Sequence, residues 1–185
     1  MMLRSLLAAC LTVSAMLAAG MLAAGPAMQV RDLSGKLQEI VVGGDVVVVT
    51  FISTGCPVSN AYNDRMIALY ADYSKKGVKL FFVNANANES AADVAAHRKE
   101  SGYPFAVYKD ESAADRLDPQ ATPETFVFDK AGKLQYHGYI DDSRTEARMQ
   151  HNGLRVALDE ILAGHAVTRA STKAFGCSIK RARKS

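Results

Sequence analysis

The sequence predicts an α/β fold, with a central mixed β-sheet flanked by helices on both faces. Three observations carry this. Val46-Val47-Val48-Val49 is a β-branched run without polar alternation, the pattern of a strand buried on both faces. Strand-like segments then alternate with helical periods, the signature of crossover units. The chain closes on a hairpin followed by an amphipathic helix, which adds antiparallel strands to the sheet. Composition agrees: of 185 residues, 49% are hydrophobic and 22% charged, enough for one real core and too apolar for a disordered or low-complexity chain.

The first segment stands apart from the fold. Residues 5–30 hold no charge and run Leu, Ala, Val and Met between Arg4 and Arg31. A short basic start, an apolar centre and Gly25-Pro26-Ala27 read as a secretory signal, residues 1–27, cleaved after Ala27. The alternative is an uncleaved anchor, since about 20 apolar residues span a bilayer as a helix. Cleavage gives a periplasmic or secreted protein without stable membrane insertion; retention gives a membrane-anchored one. Cys10 is lost with a cleaved signal, leaving Cys56 and Cys177 in an oxidising compartment.

Met28 to Val42 reads as a hairpin around Asp32-Leu33-Ser34-Gly35, and Asp45 to Ile52 as the buried central strand. Tyr62, Met66, Leu69 and Tyr73 recur at helical spacing, which predicts one helix over 57–76, stopped by Gly77. Val78 to Val83 is the next buried strand. Ser90 and Asp93 form a capping-box pattern for a helix to about Glu100. Phe105 to Tyr108 is a short strand and Glu111 to Leu117 a short helix. Thr125 to Phe128 and Lys133 to Ile140 make the last hairpin, and Leu154, Leu158, Ile161 and Leu162 share one face of a final helix ended by Gly164. The main domain therefore covers 28–163, and 164–185 is an extension with Cys177 and a basic tail, free of acidic residues. Its charges predict a solvated end.

Cys56 falls where the central strand ends and a helix begins. There the free N–H groups and the positive end of the helix dipole favour thiolate, and such cysteines titrate at about 3.5 to 7.5 instead of near 8.5. Pro57 suits the first helical position, where a missing N–H costs nothing. A buried, inert cysteine is the competing reading. Asn84, Asn86 and Asn88 follow the neighbouring strand and read as turn and capping groups, or as lining of a cleft at that sheet edge. Arg65 reads as a solvated side chain, with steering of an anionic substrate as the alternative. His97, His137, His151 and His165 show no ligand spacing, so no metal and no cofactor are expected, and nothing calls for a nucleic-acid partner.

A strand, then Cys56-Pro57-Val58-Ser59 opening a helix, then Ala121-Thr122-Pro123-Glu124-Thr125-Phe126 leading into a hairpin: over about residues 45–163 this resembles the thioredoxin superfamily. Phe126-Val127-Phe128-Asp129, Tyr139-Ile140-Asp141-Asp142-Ser143 and Gly176-Cys177-Ser178-Ile179-Lys180 are similar to its peroxiredoxin-like, or redoxin (AhpC/TSA-like), group. The resemblance implies a cis-proline at Pro123 facing Cys56, with Thr122, Pro123 and Pro57 at the substrate groove. Two positions depart from related patterns. Ser59 stands where thioredoxins carry their second cysteine, and Ser53 and Val49 stand where peroxiredoxins carry Thr and Pro. Ala121 stands where group members often carry a cysteine before the Thr-Pro.

The resemblance implies a thiol-disulfide oxidoreductase with Cys56 as nucleophile, acting on protein or small-molecule thiols and disulfides with an external reductant. A thiol peroxidase acting on peroxides, and a non-catalytic thiol-based binding or copper-delivery module, are the alternatives. Cys177, 121 residues after Cys56, has three readings: a resolving thiol for oxidised Cys56, one half of a permanent structural disulfide, or a free tail cysteine.

Overall fold

The computed structural model describes residues 27–182; the N-terminal targeting segment expected over 1–27 lies outside them except for Ala27. Strands β1 (Ala27–Arg31) and β2 (Leu37–Val41) form the first hairpin, in antiparallel register from Ala27↔Val41 to Arg31↔Leu37. Asp32 shapes its turn by accepting the Ser34 and Lys36 N–H groups. Then come β3 (Val47–Ile52), α1 (Pro57–Asn60), α2 (Asn63–Ser74), β4 (Lys79–Asn84), α3 (Ala91–Glu100), β5 (Val107–Lys109) and α4 (Ser112–Leu117). The chain ends with β6 (Ala121–Thr122), β7 (Glu124–Phe128), β8 (Leu134–Gly138), α5 (Gly153–Leu162) and β9 (Cys177–Ser178).

The main sheet has the order β5-β4-β3-β7-β8. β4 runs parallel to both β3 and β5, whereas β7 is antiparallel to β3 and to β8. Every β3 residue is buried, as the valine run requires, and its alternate side chains serve two cores. Val46, Val48 and Ile52 meet Met66, Leu69 and Tyr73 of α2, Val94 of α3, and Leu154 and Leu158 of α5. Val47, Val49 and Phe51 meet Val30 and Ile40 of the hairpin and Ala113 and Ala114 of α4. Each large aliphatic side chain buried this way contributes about 1.5–3 kcal/mol relative to exposure.

The single helix expected over 57–76 is two helices. Ala61 and Tyr62 N–H donate to Val58 and Ser59 carbonyls, three residues back, so the first turn tightens and closes before α2 begins. Tertiary bonds explain the break: Tyr62 is fully buried, and its hydroxyl donates toward Asp141 and the Ser143 carbonyl. A periodicity of apolar residues cannot register that demand.

The C-terminal extension is a strap across the sheet's end. His137 N–H donates to Ala170 O and Thr172 N–H to His137 O beside β8; β9 then pairs with β6, and Lys180 reaches the loop after β4. Of the basic tail expected to be solvated, Lys180 and Arg181 are exposed, with Arg181 pairing with Asp115 and Asp118, and Arg183 and Lys184 lie outside the described residues.

Candidate active site

The end of β3 delivers the chain into Ser53-Thr54-Gly55-Cys56. Cys56 has an extended backbone (φ −90°, ψ 114°) and caps α1, its Sγ accepting the Ser59 N–H at 3.3 Å. Pro57 occupies the first helical position and is exposed. Because α1 is a single turn, the helix-dipole argument for a thiolate gives way here to discrete hydrogen bonds. Cys56 itself is buried, with 1% of its surface exposed.

The peptide bond between Thr122 and Pro123 is cis, as the resemblance implied. This loop faces Cys56, whose thiol lies 3.4 Å from the Thr122 carbonyl oxygen. On its other side, Thr122 is paired with Cys177 and Ala121 with Ser178, antiparallel. The Thr122 hydroxyl donates to the Cys177 carbonyl at 3.4 Å. Cys56, Thr122, Pro123 and Cys177, scattered over the sequence, thus meet at one point.

Their electrostatics differ in sign. Burial pushes the Cys56 thiol up, but hydrogen bonds from the Cys177 side chain, the Ser59 N–H, Thr122 and the Cys177 N–H outweigh it and hold Cys56 below its ordinary range. Cys177 is held above that range, first by its hydrogen bond to Cys56, then by burial and by charge on Cys56. The two shifts share one cause, the hydrogen bond that joins the two thiols. A thiolate nucleophile beside a protonated second thiol can attack a disulfide and then be resolved.

Beneath Cys56 lies a residue the sequence reading missed. Glu89, 9% exposed, accepts hydrogen bonds from Ser53 Oγ (2.5 Å), Thr54 N–H (2.8 Å), Gly55 N–H (3.2 Å) and Asn84 Nδ2. Burial raises its carboxyl pKa, but these four donors bring it below the usual carboxylate range. It fastens the loop that delivers Cys56. Ser59, in the position of a second cysteine, accepts the Ser53 N–H through its hydroxyl at 3.1 Å, and Asn60 Nδ2 donates to Thr54 O at 2.8 Å. The only sequence signal for Glu89 was its place one residue before the Ser90 capping box, which names no partner.

One expectation is corrected. Arg65 is not solvated: it is 9% exposed, its Nη1 lies 2.8 and 2.7 Å from the two Asp141 carboxylate oxygens, and its guanidinium stacks 3.6 Å above the Tyr62 ring centroid. It braces α2 against the 141–144 loop, which its Nη groups also bind at the Ser143 and Arg144 carbonyls. Asn84 accepts the Asn86 N–H at 3.1 Å, a turn role as expected, and also holds Glu89, while Asn86 accepts the Lys180 N–H; both are buried and Asn88 is exposed. The groove edge at Thr122 is filled by the chain's own β9.

The sequence profile described as the AhpC/TSA family matches residues 24–137, more than half of the chain. The chain belongs to the AhpC/TSA family. Among solved structures, this AhpC/TSA protein is similar to an uncharacterized conserved protein from Geobacillus kaustophilus, with 28% identity, a TM-score of 0.78, and 88% of this chain and 92% of that one covered. A thiol:disulfide interchange protein of the thioredoxin family from Chlorobium tepidum TLS is 17% identical with a TM-score of 0.58, covering 75% of this chain and 95% of that one; the shared fold is thioredoxin-like. The curated relative "Thiol-disulfide oxidoreductase ResA" from Halalkalibacterium halodurans is 26% identical over 110 residues. That alignment covers 60% of this chain and 57% of the relative's length.

Proposed function

We propose that this protein is an exported thiol-disulfide oxidoreductase in which Cys56 is the nucleophile and Cys177 the resolving thiol. The observation that carries this is geometric: Cys56 Sγ lies 3.4 Å from the Thr122 carbonyl oxygen, and Thr122 is paired with Cys177 in the β6–β9 ladder, so two thiols 121 residues apart meet at one backbone edge. The similarity to a relative named as a thiol-disulfide oxidoreductase supports the same reading. The uncharged apolar stretch before Arg31 supports export.

The chemistry balances on these two residues. Cys56 thiolate attacks one sulfur of a substrate disulfide, forming a mixed disulfide and releasing the other sulfur as a thiolate that takes up a proton. Cys177 then gives up its proton and attacks Cys56 Sγ, which releases the second substrate thiol and leaves a Cys56–Cys177 disulfide. Two electrons pass to the substrate, and an external dithiol returns them. Thr122 and Pro123 hold the extended substrate segment against Cys56, and exposed Pro57 borders the groove.

Turnover of a protein disulfide with an added dithiol tests the reading. Cys56→Ser is expected to abolish turnover. Cys177→Ser is expected to slow it and to let the mixed disulfide with substrate accumulate. Full turnover by Cys56→Ser contradicts the assignment.

A further inference from the structure

Reaction with an outside disulfide needs the Cys56 sulfur exposed, yet only 1% of Cys56 is. What covers it is thin. Between Phe175 and Lys180 burial alternates strictly: Phe175, Cys177 and Ile179 are half-buried, while Gly176, Ser178 and Lys180 are exposed. This is the period of an extended strand lying on a surface with every second side chain pointing in. Phe175 packs toward Tyr62, their ring centroids 6.4 Å apart, and Ile179 packs on the opposite core. Cys177 sits between these two pegs, beside Cys56.

The backbone fit is as tight as the side-chain fit. Gly176 has φ +146°, and a Cβ there would lie 2.0 Å from the Thr122 carbonyl oxygen and 3.5 Å from Val58 Cγ1. Only glycine lets the strand approach the Thr122 edge so closely. Beyond the two paired residues, the strap is held by Ala87 N–H to Lys180 O (2.7 Å), Lys180 N–H to Asn86 Oδ1 (2.9 Å) and the exposed Arg181 ion pairs. Such sparse, surface-lying attachments belong to the low-stability end of a fold.

We propose that residues 175–179 are a built-in occupant of the groove, and that the groove selects extended polypeptides of the same pattern: a cysteine preceded directly by glycine, with apolar residues two positions away on either side. This rests on Cys56 acting as the exchange nucleophile. An incoming segment of that pattern displaces the strap, pairs with Thr122 in its place and puts its cysteine sulfur where Cys177 lay. The strap's return then brings Cys177 to the mixed disulfide. Access and resolution are thus one movement.

The test uses the full chain in a Cys177→Ser background, with and without Gly176→Ala, whose methyl group drives the strap off Thr122. Phe175→Ser with Ile179→Ser loosens the same strap without touching the close contact. The probes are synthetic heptapeptides whose cysteine carries a thionitrobenzoate group in disulfide linkage. Cys56 thiolate attacks the peptide sulfur and releases the coloured thionitrobenzoate thiolate, one per mixed disulfide formed. One peptide reads Ala-Phe-Gly-Cys-Ser-Ile-Lys; in the other, serine replaces Phe and Ile and valine replaces Gly.

Both loosened variants are expected to react with the first peptide about ten-fold faster than the strap-intact protein. They are also expected to prefer it over the second peptide by about ten-fold, while a single cooperative urea transition shows the domain still folded. Equal rates with the strap intact and loosened, or no preference between peptides, overturn the proposal. Failure of every variant to react with either peptide, or with a small aromatic disulfide, overturns instead the reading of Cys56 as the nucleophile.

Discussion

Replacing Glu89 with alanine removes one acceptor group from four donors at once. Ser53 and Asn84 are buried, so their hydrogen-bonding groups lose a partner that water does not replace, at about 1–3 kcal/mol each. Gly55 is exposed and Thr54 half-buried, so those N–H groups hydrate and cost less. Partial relaxation of the loop brings the expected loss to about 3–4 kcal/mol, a large share of the roughly 5–15 kcal/mol that stabilises a domain. Glu89→Gln keeps the shape and one acceptor oxygen but turns an NH₂ toward donors, for a loss of about 2 kcal/mol.

The pH dependence has a definite sign. The folded carboxyl titrates below its unfolded value, so its contribution is complete above the unfolded value of about 4.3 and fades as pH falls through the lowered folded one. Urea unfolding followed by circular dichroism, near neutral pH and again near pH 3, gives both quantities. Glu89→Gln is expected to show a shallower acid loss than the native chain. A loss below about 1 kcal/mol for Glu89→Ala, or the same acid slope in Glu89→Gln, refutes the claim that this carboxylate fastens the loop.

Other substitutions test neighbouring parts of the account. Arg65→Ala leaves Asp141 buried without its cation and is expected to cost about 3–5 kcal/mol in urea unfolding, nearly independent of salt, whereas a surface pair such as Lys76–Asp159 is expected to contribute under about 1 kcal/mol. Ser59→Cys places a second thiol one helical turn from Cys56 and is expected to restore dithiol-driven insulin reduction in a Cys177→Ser background; no gain in that assay contradicts the alignment of Cys56 with the first thioredoxin cysteine. Gly138→Ala, at φ +141° with a Cβ 2.0 Å from Thr172 Oγ1, is expected to lower the thermal midpoint by pushing the 170–172 segment off β8.

What was legible in the sequence follows from the range of each signal. Local patterns read well: the valine run is β3, the Ser90–Asp93 capping box is present in full, and Gly164 sits at positive φ just after α5. Cys56 was reachable from its place between a strand and a helix, and the cis Thr122–Pro123 bond from the family resemblance carried by the motif around it. Long-range polar pairings were not. Glu89 under the Cys56 loop, Arg65 on Asp141 and the break at Tyr62 each depend on a partner distant in the chain or on burial, which neither spacing nor charge reports. The extension was the largest surprise. Its two-residue strand is too short for a periodicity signal, and the alternation from Phe175 to Lys180 has meaning only once β6 is there to receive it.

The central claim is that Cys56 and Cys177 form one redox couple. Peptide mass mapping of the folded protein under non-reducing conditions, after a mild oxidant and again after modest dithiothreitol, tests it most directly. The account predicts a Cys56–Cys177 disulfide that forms on oxidation and is reduced while the domain remains folded. A Cys177 that stays free for alkylation in the oxidised protein, or a bond that yields to reductant only after denaturation, would contradict it.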